Sequence, residues 1–375
     1  MTQEIVCVVG ARPNFMKMAP ILDALRANAG IRPFLVHTGQ HYDEEMSRVF
    51  FDELGLPEPD QNLEIGSGTH GRQTGEIMSG FDELLGGRSA RAVVVVGDVN
   101  STMACALVAV KRGIPVAHVE AGLRSGDRSM PEEINRLVTD AVSDLLLATS
   151  EDAVANLAAE GIPASRVRLV GNPMIDTLRR HEAIARGKRA WERFGLPQHG
   201  YALVTLHRPS NVDNSNNLRA IVRALDELCG RIPVLFPAHP RTLERIRRGD
   251  IQPGAGLTLT RPLGYLDFLS LMTAARFVLT DSGGVQEETT ALGVPCLTLR
   301  ENTERPVTIS EGTNRLLGVD PAAILPAADE LLQAGPQARR CPPLWDGHAG
   351  QRIAGALAEF LGVPLTEELG VDKLR

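Results

Sequence analysis

Short apolar runs alternate along the chain with segments whose apolar residues recur every three or four positions. In the first half, five such runs, several rich in valine, end near glycine, threonine or an acidic residue, at 5–10, 34–38, 92–97, 116–120 and 145–149. Runs of this length are typical of strands buried on both faces of a parallel sheet. The intervening segments predict helices over 16–28, 44–54, 73–85, 101–112 and 133–142. This alternation predicts a doubly wound α/β sheet.

A polar, arginine-rich stretch at 181–193, followed by Gly195, Pro197 and Gly200, interrupts the pattern. It suits a helix and then an interdomain connection. Alternation resumes with predicted strands at 202–206, 234–237, 257–260, 277–280 and 296–299, and with predicted helices at 217–228, 242–248, 267–274, 284–292 and 322–332. Because 375 residues exceed the usual size of one hydrophobic core, we expect two Rossmann-like doubly wound domains facing a cleft, an N-terminal one at 1–175 and a C-terminal one at 176–349.

Composition excludes several classes of function. The formal net charge of -7 argues against sequence-independent binding of nucleic acid. No stretch is long and apolar enough to span a membrane, and the N-terminal segment does not resemble a signal peptide. Five cysteines without CxxC spacing indicate reduced thiols and hence the cytoplasm. HExxH, Cys/His clusters, acidic EF-hand loops and GxSxG are absent from the sequence, so we expect no metal and no serine-hydrolase site.

Cations follow the first predicted strand, at the edge of the sheet where ligands of such folds bind. Gly10 is the only glycine of this turn, so it does not match the dinucleotide motif GxGxxG. Arg12 lies in the loop and Lys17 in the first helical turn, where backbone N–H groups favour an anion. The alternative is a solvated turn with two surface cations.

A glycine-rich turn follows the predicted strand 277–280 and opens a helix. Ser282, Gly283 and Gly284 allow the backbone to approach phosphate oxygens closely, and Glu288 is placed to accept from ribose hydroxyls. A tight turn with a capping Asp or Ser is the alternative.

Acidic residues and a histidine also follow predicted strands. Asp98 and Glu120 come directly after strands, Glu132 opens a helix, and His207 begins the second half of the pattern. Each alone is typical of a helix cap or an ion pair. Together they suggest proton transfer, because neighbouring carboxylates can split in pKa to give one acid and one base. His118, between apolar neighbours within a strand, is interpreted as structural.

Ten motifs carry a family resemblance. They run in order from Gly10 to Gly318: GARPNFMK, HTGQHYD, GDVNST, HVEAGLRS, MPEEINR, GNPMID, LHR, DSGGVQEE, TERP and GTNRLLG. Together they resemble the non-hydrolysing UDP-N-acetylglucosamine 2-epimerases. The resemblance implies the two-domain GT-B fold, with a C-terminal helix, 350–361 within a segment of about 350–375, packing back on the first domain.

The resemblance also implies an activity. Members interconvert UDP-GlcNAc and UDP-ManNAc without a nicotinamide cofactor or a metal, by eliminating UDP to 2-acetamidoglucal and adding it back, and they supply polysaccharide synthesis as homodimers. It assigns catalysis to Asp98, Glu120, Glu132 and His207. It assigns UDP-sugar binding to Arg12, Lys17, Arg136, Ser282, Gly283, Gly284, Glu288 and Arg315.

Several alternatives remain open from the sequence. Some members bind a second UDP-GlcNAc as an activator, and Gln40, His41 and Arg72 match that site, but PSN at 209–211 replaces the usual REN, so this regulation is expected to be altered or absent. Related substrates include a 2,3-diacetamido uronic acid derivative, although the Glu287–Glu288 pair and TERP resemble the simple GlcNAc epimerases more. Hydrolysis of the intermediate, a GT-B glycosyltransferase and a non-catalytic binding module are further alternatives.

Overall fold

The computed structural model describes residues 2–40, 55, 58–249, 251–335 and 340–364, without the Arg12 side chain. The chain divides into two compact units. The first combines Met1–Arg179 with Pro343–Arg375, and the second comprises Arg180–Pro342. The helix predicted at 44–54 lies outside the described residues.

The first unit contains a parallel sheet in the order β3-β2-β1-β4-β5-β6-β7. Valine-rich strands are buried on both faces, as a parallel sheet covered by helices requires. The strands are β1 Gln3–Val9, β2 Ile31–His37, β3 Gln61–Asn62, β4 Ala92–Val96, β5 Val116–Ala121, β6 Leu145–Ala148 and β7 Val167–Leu169. The helices are α1 Arg12–Arg26, α2 His70–Gly86, α3 Asn100–Lys111, α4 Pro131–Val142, α5 Glu151–Ala159, α6 Pro173–Lys188, in which the chain passes to the second unit, and the C-terminal helix α14 Ala349–Leu361.

The second unit contains a parallel sheet in the order β10-β9-β8-β11-β12-β13. If the strands of this unit are renumbered from 1 to 6, their order is 3-2-1-4-5-6, which is that of a Rossmann sheet. The first six strands of the first unit have the same order. The strands are β8 Ala202–Thr205, β9 Val234–Pro237, β10 Leu257–Thr260, β11 Phe277–Thr280, β12 Cys296–Thr298 and β13 Asn314–Leu316. The helices are α7 Pro209–Val212, α8 Ser215–Cys229, α9 Pro240–Arg248, α10 Tyr265–Ala274, α11 Gly283–Leu292, α12 Val307–Ser310 and α13 Ile324–Gln333. The predicted class, α/β with two doubly wound sheets, is confirmed.

Some element boundaries differ from the sequence predictions. α1 begins at Arg12 rather than at 16, because Pro13 in the first helical turn removes only an N–H that has no intrahelical partner. The helix predicted at 181–193 is wrong in its bounds: α6 already begins at Pro173, and a separate 3₁₀ turn occupies Ala190–Phe194. The short edge strands β7 and β13, with three residues each, escaped prediction because so few residues carry no periodicity.

The C-terminal helix α14 packs against α1 within the first unit. A Cβ on Gly350 would lie 2.6 Å from the carbonyl oxygen of Pro20, so the two helices approach closely at this glycine. The Asp176 carboxylate accepts the backbone N–H groups of Ala349 (3.0 Å) and Gly350 (2.7 Å) at the start of the helix. The C-terminal helix thus belongs to the first unit. No helix within the described residues is long and apolar enough to cross a membrane.

Candidate functional site

Each sheet has a switch point where the strand order reverses, between β1 and β4 in the first unit and between β8 and β11 in the second. Ligands of doubly wound sheets bind beyond the carboxyl ends of the strands at such points. Glu120 and Lys17 lie near the first switch point, and His207, Ser282 and Gly283 lie near the second.

Asn14 joins the two strands that flank the first switch point. Its Oδ1 accepts the N–H groups of Gly10 (3.2 Å) and Ala11 (2.9 Å) after β1, and its Nδ2 donates to the carbonyl of Val96 (3.0 Å) in β4. A Cβ on Gly10 would lie 2.2 Å from Ser101 Oγ, so this turn requires a glycine. Asn14 escaped sequence analysis because an asparagine in a first helical turn resembles an ordinary capping residue.

Lys17 and Glu120 form an ion pair that is buried in the first unit. Glu120 has a left-handed backbone (φ 72°), and the pairing of β5 with β6 shifts register between Val119 and Ala121. Bulges of this kind re-aim side chains next to active sites, and a left-handed non-glycine residue is strained by about 1–3 kcal/mol. The fold thus holds a buried carboxylate beside a cation through a strained backbone.

Gly97 brings these groups together at the end of β4. Its φ is 72°, and a Cβ there would lie 3.1 Å from Asn14 Nδ2, 3.3 Å from Glu120 Oε2 and 3.6 Å from Lys17 Nζ. The residue that follows is Asp98. The structure therefore places the Glu120–Lys17 ion pair beside Gly97, the residue before Asp98.

Arg136 fixes the Asp98 carboxylate. Its guanidinium is 2% exposed and lies 2.5 Å from Asp98 Oδ2 and 2.5 Å from Glu133 Oε2. Asn135 Nδ2 donates to the Asp98 carbonyl (2.9 Å), so one helix holds both ends of this residue. The Asp98 side chain remains 26% exposed. The Arg136 guanidinium thus orients the Asp98 carboxylate.

Glu133 and Glu132 have different environments although they are adjacent in α4. Glu133 is buried, and it accepts the N–H groups of Ser125 (3.0 Å) and Gly126 (2.8 Å) besides its ion pair. Burial raises the pKa of Glu133, but these N–H groups and Arg136 outweigh it, so the pKa lies below its ordinary value. Glu132 is half-buried and makes no hydrogen bond or ion pair with another described residue. Glu132 is thus the carboxylate of this helix that is available to a ligand.

Two of the candidate regulatory residues, Gln40 and Arg72, lie in the described part of the chain, and Gln73, next to Arg72, donates to the Gln40 carbonyl (3.2 Å). The buried Gln40 side chain accepts from the N–H (3.1 Å) and the hydroxyl (2.7 Å) of Ser101 at the start of α3. Arg72 is largely exposed and pairs with Glu76 one turn further along α2. His41 lies outside the described residues.

Asp281 organises the second switch point. It is fully buried directly after β11, and it accepts the N–H groups of His207 (3.0 Å) and Arg208 (2.9 Å) after β8. His207 Nδ1 lies 3.0 Å from the same carboxylate, and the His207 side chain is 44% exposed. Burial alone would raise the pKa of Asp281. His207, Asn211 and Arg208 lower the pKa by more than burial raises it, so it lies below its ordinary value. The buried Asp281 carboxylate thus orients the partly exposed His207 side chain, and Asp281 was not among the predicted site residues.

Ser282 and Gly283 begin α11 directly above a group of buried charges. A Cβ on Gly283 would lie 2.6 Å from Arg305 Nη1 and 2.7 Å from Glu304 Oε1, so the glycine is required for this close approach. Glu304 pairs with Arg300 (2.7 Å) and Arg305, and it lies 4.0 Å from Arg208.

This charge group pairs the guanidinium groups of neighbouring arginines with buried carboxylates. Burial raises the pKa of Glu304, but Arg305, Arg300 and Arg208 hold it well below its usual range. Glu287 pairs with Arg305 at 2.7 Å. Three guanidinium groups therefore face two carboxylates under the helix start, and TERP in the sequence was the signal for part of this group.

The remaining predicted residues of the second unit differ in placement. Glu288 is buried in α11 and accepts from the Tyr265 hydroxyl (2.9 Å), and Gly284 lies half-buried in the first turn. Arg315 lies in the edge strand β13, is exposed and pairs with Glu330 of α13. No described contact joins Arg315 to Ser282 or Gly283.

Metal ligands do not cluster in the part of the chain that the structure describes: no three His, Cys, Asp or Glu side chains are arranged to hold an ion. The polar groups at the switch points are carboxylates, cations and helix N–H groups. These suit proton transfer and anion binding.

Fold and site together define an α/β enzyme of the doubly wound, nucleotide-binding class. The chain belongs to the UDP-N-acetylglucosamine 2-epimerase family, whose profile matches residues 23–358. It is 42% identical to the UDP-N-acetylglucosamine 2-epimerase of Methanocaldococcus jannaschii, over 94% of this chain and 98% of the relative. It is 40% identical to the UDP-2,3-diacetamido-2,3-dideoxy-D-glucuronate 2-epimerase of Pseudomonas aeruginosa, over 95% and 100%. The crystal structure of the M. jannaschii enzyme in complex with UDP-GlcNAc and UDP superposes with a TM-score of 0.87 at 41% identity, covering 95% of this chain and all of that chain.

Proposed function

We propose that this protein interconverts UDP-GlcNAc and UDP-ManNAc by inverting C2 of the sugar. The observation that supports the proposal most strongly is the turn around Gly97, where Asp98, the strained Glu120 and Lys17 converge at a switch point. Acid–base chemistry at C2 needs carboxylates held in place, and this turn provides them.

The chemistry explains why several carboxylates are needed. C2 has no carbonyl neighbour, so its proton is barely acidic. In the proposed route one carboxylate removes the C2 proton while the C1–O bond to UDP breaks, which gives 2-acetamidoglucal and free UDP. UDP then re-forms the C1–O bond while a proton is delivered to the opposite face of C2. We propose Asp98, Glu120 and Glu132 as the groups that transfer these protons.

The second unit suits the departing diphosphate. The N–H groups at the start of α11 and the guanidinium groups around Arg305 favour an anion beside Ser282, Gly283 and Gly284. We propose that His207, held by Asp281, contacts the diphosphate or the sugar, and that Glu288 accepts from ribose. In the first unit, Arg12 and Lys17 are proposed diphosphate contacts.

The experiment is incubation with UDP-GlcNAc in D₂O, without added metal or nicotinamide, followed by proton NMR of the sugar. UDP-ManNAc with deuterium at C2 supports the proposal. Free ManNAc with UDP identifies a hydrolysing enzyme instead. Unchanged, unlabelled UDP-GlcNAc refutes the proposal.

A second candidate is the same inversion on a UDP-2,3-diacetamido uronic acid. The P. aeruginosa relative supports it, since its identity and coverage are close to those of the M. jannaschii relative. Parallel reactions with both UDP-sugars decide between them through the ratio of kcat/KM values.

We further propose a cytoplasmic homodimer. The cytoplasm is supported by cysteines that form no disulfide, including the buried Cys7, Cys105 and Cys296. The dimer is supported by the family resemblance, and light scattering of the purified protein tests it.

A further inference from the structure

His118 lies in β5, two residues before the strained Glu120. Its side chain and that of Asp140 from α4 are both fully buried. Asp140 lies on the same helix as Glu132 and Arg136, so one helix contacts this histidine and the Asp98 carboxylate.

Both ring nitrogens of His118 face hydrogen-bond acceptors. Nδ1 lies 2.6 Å from Asp140 Oδ1, and Nε2 lies 2.8 Å from the carbonyl oxygen of Gly97. A carbonyl oxygen can only accept, so Nε2 must carry a proton. The histidine and the aspartate therefore share a second proton along the Nδ1–Oδ1 contact.

The surroundings of Asp140 place that second proton on the ring. Its Oδ2 accepts the Gly122 N–H (3.0 Å) and lies 2.7 Å from the Arg124 guanidinium. Burial raises the pKa of Asp140, but His118 and Arg124 outweigh it, so the pKa lies below its ordinary value. With Asp140 held as a carboxylate, both ring nitrogens of His118 donate, Nδ1 to Asp140 and Nε2 to the Gly97 carbonyl.

These two side chains hold both sides of the catalytic turn. His118 binds the carbonyl of Gly97, the residue before Asp98, and Asp140 binds the N–H of Gly122, just beyond the bulge at Glu120. We propose that His118 and Asp140 form a buried imidazolium–carboxylate pair that positions Asp98 and Glu120 for proton transfer at C2. The catalytic part of this inference rests on the proposed function.

Kinetics of paired variants test the positioning role. A misplacement of about 1 Å at reacting groups costs roughly 10²-fold in rate. His118→Gln can reach only one of the two acceptors, and Asp140→Asn loses the charge. Each is expected to lower kcat by roughly 10²-fold while KM and the Kd of UDP change little. The double variant should lose little more than either single one, because the two residues act as a unit.

Ser143→Ala is the matched control. It removes a buried hydrogen bond of the same helix region, from the Ser143 hydroxyl to the Thr139 carbonyl (2.7 Å), without touching Gly97 or Gly122. It should lower Tm but leave kcat unchanged. If His118→Gln keeps the wild-type kcat, or if kcat falls with Tm alike in all three variants, positioning is refuted.

Nitrogen-15 NMR of histidine-labelled wild-type protein tests the pair itself, whatever the substrate. Two N–H signals from the His118 ring are expected, and Asp140→Asn should remove the one at Nδ1. A single ring N–H in the wild type overturns the imidazolium. Should the wild type fail to epimerise UDP-GlcNAc while both N–H signals are present, the proposed function fails and the pair stands.

Discussion

The two switch points share one strand order but use their acidic residues in opposite ways. In the first unit, Asp98 is oriented by Arg136 yet remains partly exposed, and Glu120 is aimed by a strained bulge. In the second unit, Asp281 and Glu304 are buried and their oxygens bind protein N–H groups and guanidinium groups.

This difference shows that the location of a site and its chemistry have different structural causes. The doubly wound sheet determines that polar residues gather at the switch point, and the side chains determine what happens there. Carboxylates that the first unit offers to a ligand suit proton transfer. The second unit uses its carboxylates to hold loops in place. The groups that remain for a ligand are the N–H groups at the helix start and the nearby guanidinium groups, which suit binding of an anion.

The largest effect is expected for Asp98→Asn. The amide cannot accept or deliver the C2 proton, and general acid–base groups contribute about 10²–10⁴-fold to rate. We expect kcat to fall by that factor with the Kd of UDP nearly unchanged, measured by NMR turnover and by calorimetry. Asp82→Asn, which breaks an exposed Asp–Arg pair of the same unit, is the control. Retention of kcat in Asp98→Asn would exclude Asp98 from the proton transfer.

A second prediction compares two buried aspartates that accept backbone N–H groups. Asp176 has no ion pair with a cation among the described residues, and burial raises its pKa to about 6. In contrast, His207 and other partners keep the pKa of Asp281 below its ordinary value. For Asp176, the stabilising contribution is present at low pH and is lost as pH rises from about 4, the unfolded value, through 6. Asp176→Asn should therefore gain roughly 1–3 kcal/mol of unfolding free energy relative to wild type between pH 4 and 7.

Asp281→Asn should behave in the opposite way. It is expected to be less stable than wild type above about pH 4, and this difference should shrink at lower pH, where Asp281 itself becomes protonated. Urea unfolding across pH 3–7 measures both variants. Asp144→Asn, at an exposed residue that accepts the Val116 N–H, controls for loss of a side chain–backbone contact. Parallel pH profiles for Asp176→Asn and Asp281→Asn would contradict the comparison.

The sequence predicted most of the fold and part of the site. Valine-rich apolar runs indicated the central strands, and the polar positions after them singled out Asp98, Glu120 and His207 as candidates. The supporting residues could not be predicted this way, because Asn14, Asp140 and Asp281 act through contacts with strands distant in the chain. The left-handed Glu120 was also hidden, since no local pattern signals a bulge set by neighbouring strands.

A smaller effect, confined to binding, is expected for Gly283→Ala. The new methyl group would displace Arg305 and Glu304 from their positions 2.6 and 2.7 Å away, and it would disturb the start of α11. We expect the Kd of UDP to rise about tenfold, which corresponds to about 1.4 kcal/mol, with a smaller change in kcat. Gly187→Ala, in open space on α6, is the matched control. A large loss of kcat at unchanged UDP affinity would assign chemistry to the second unit.

The smallest effect is expected for Arg315→Gln, and it sharpens the comparison within the second unit. The guanidinium is exposed and pairs with Glu330 rather than with the residues around Ser282, so its loss should cost less than about 1 kcal/mol of stability. A diphosphate beside Ser282 would have its negative charge balanced by Arg305 and the neighbouring arginines. The Kd of UDP should therefore remain at the wild-type value. Glu330→Gln breaks the same surface pair and is the control. If Arg315→Gln alone weakens UDP binding, the arginine reaches the ligand, and the anion site of the second unit extends to its edge strand.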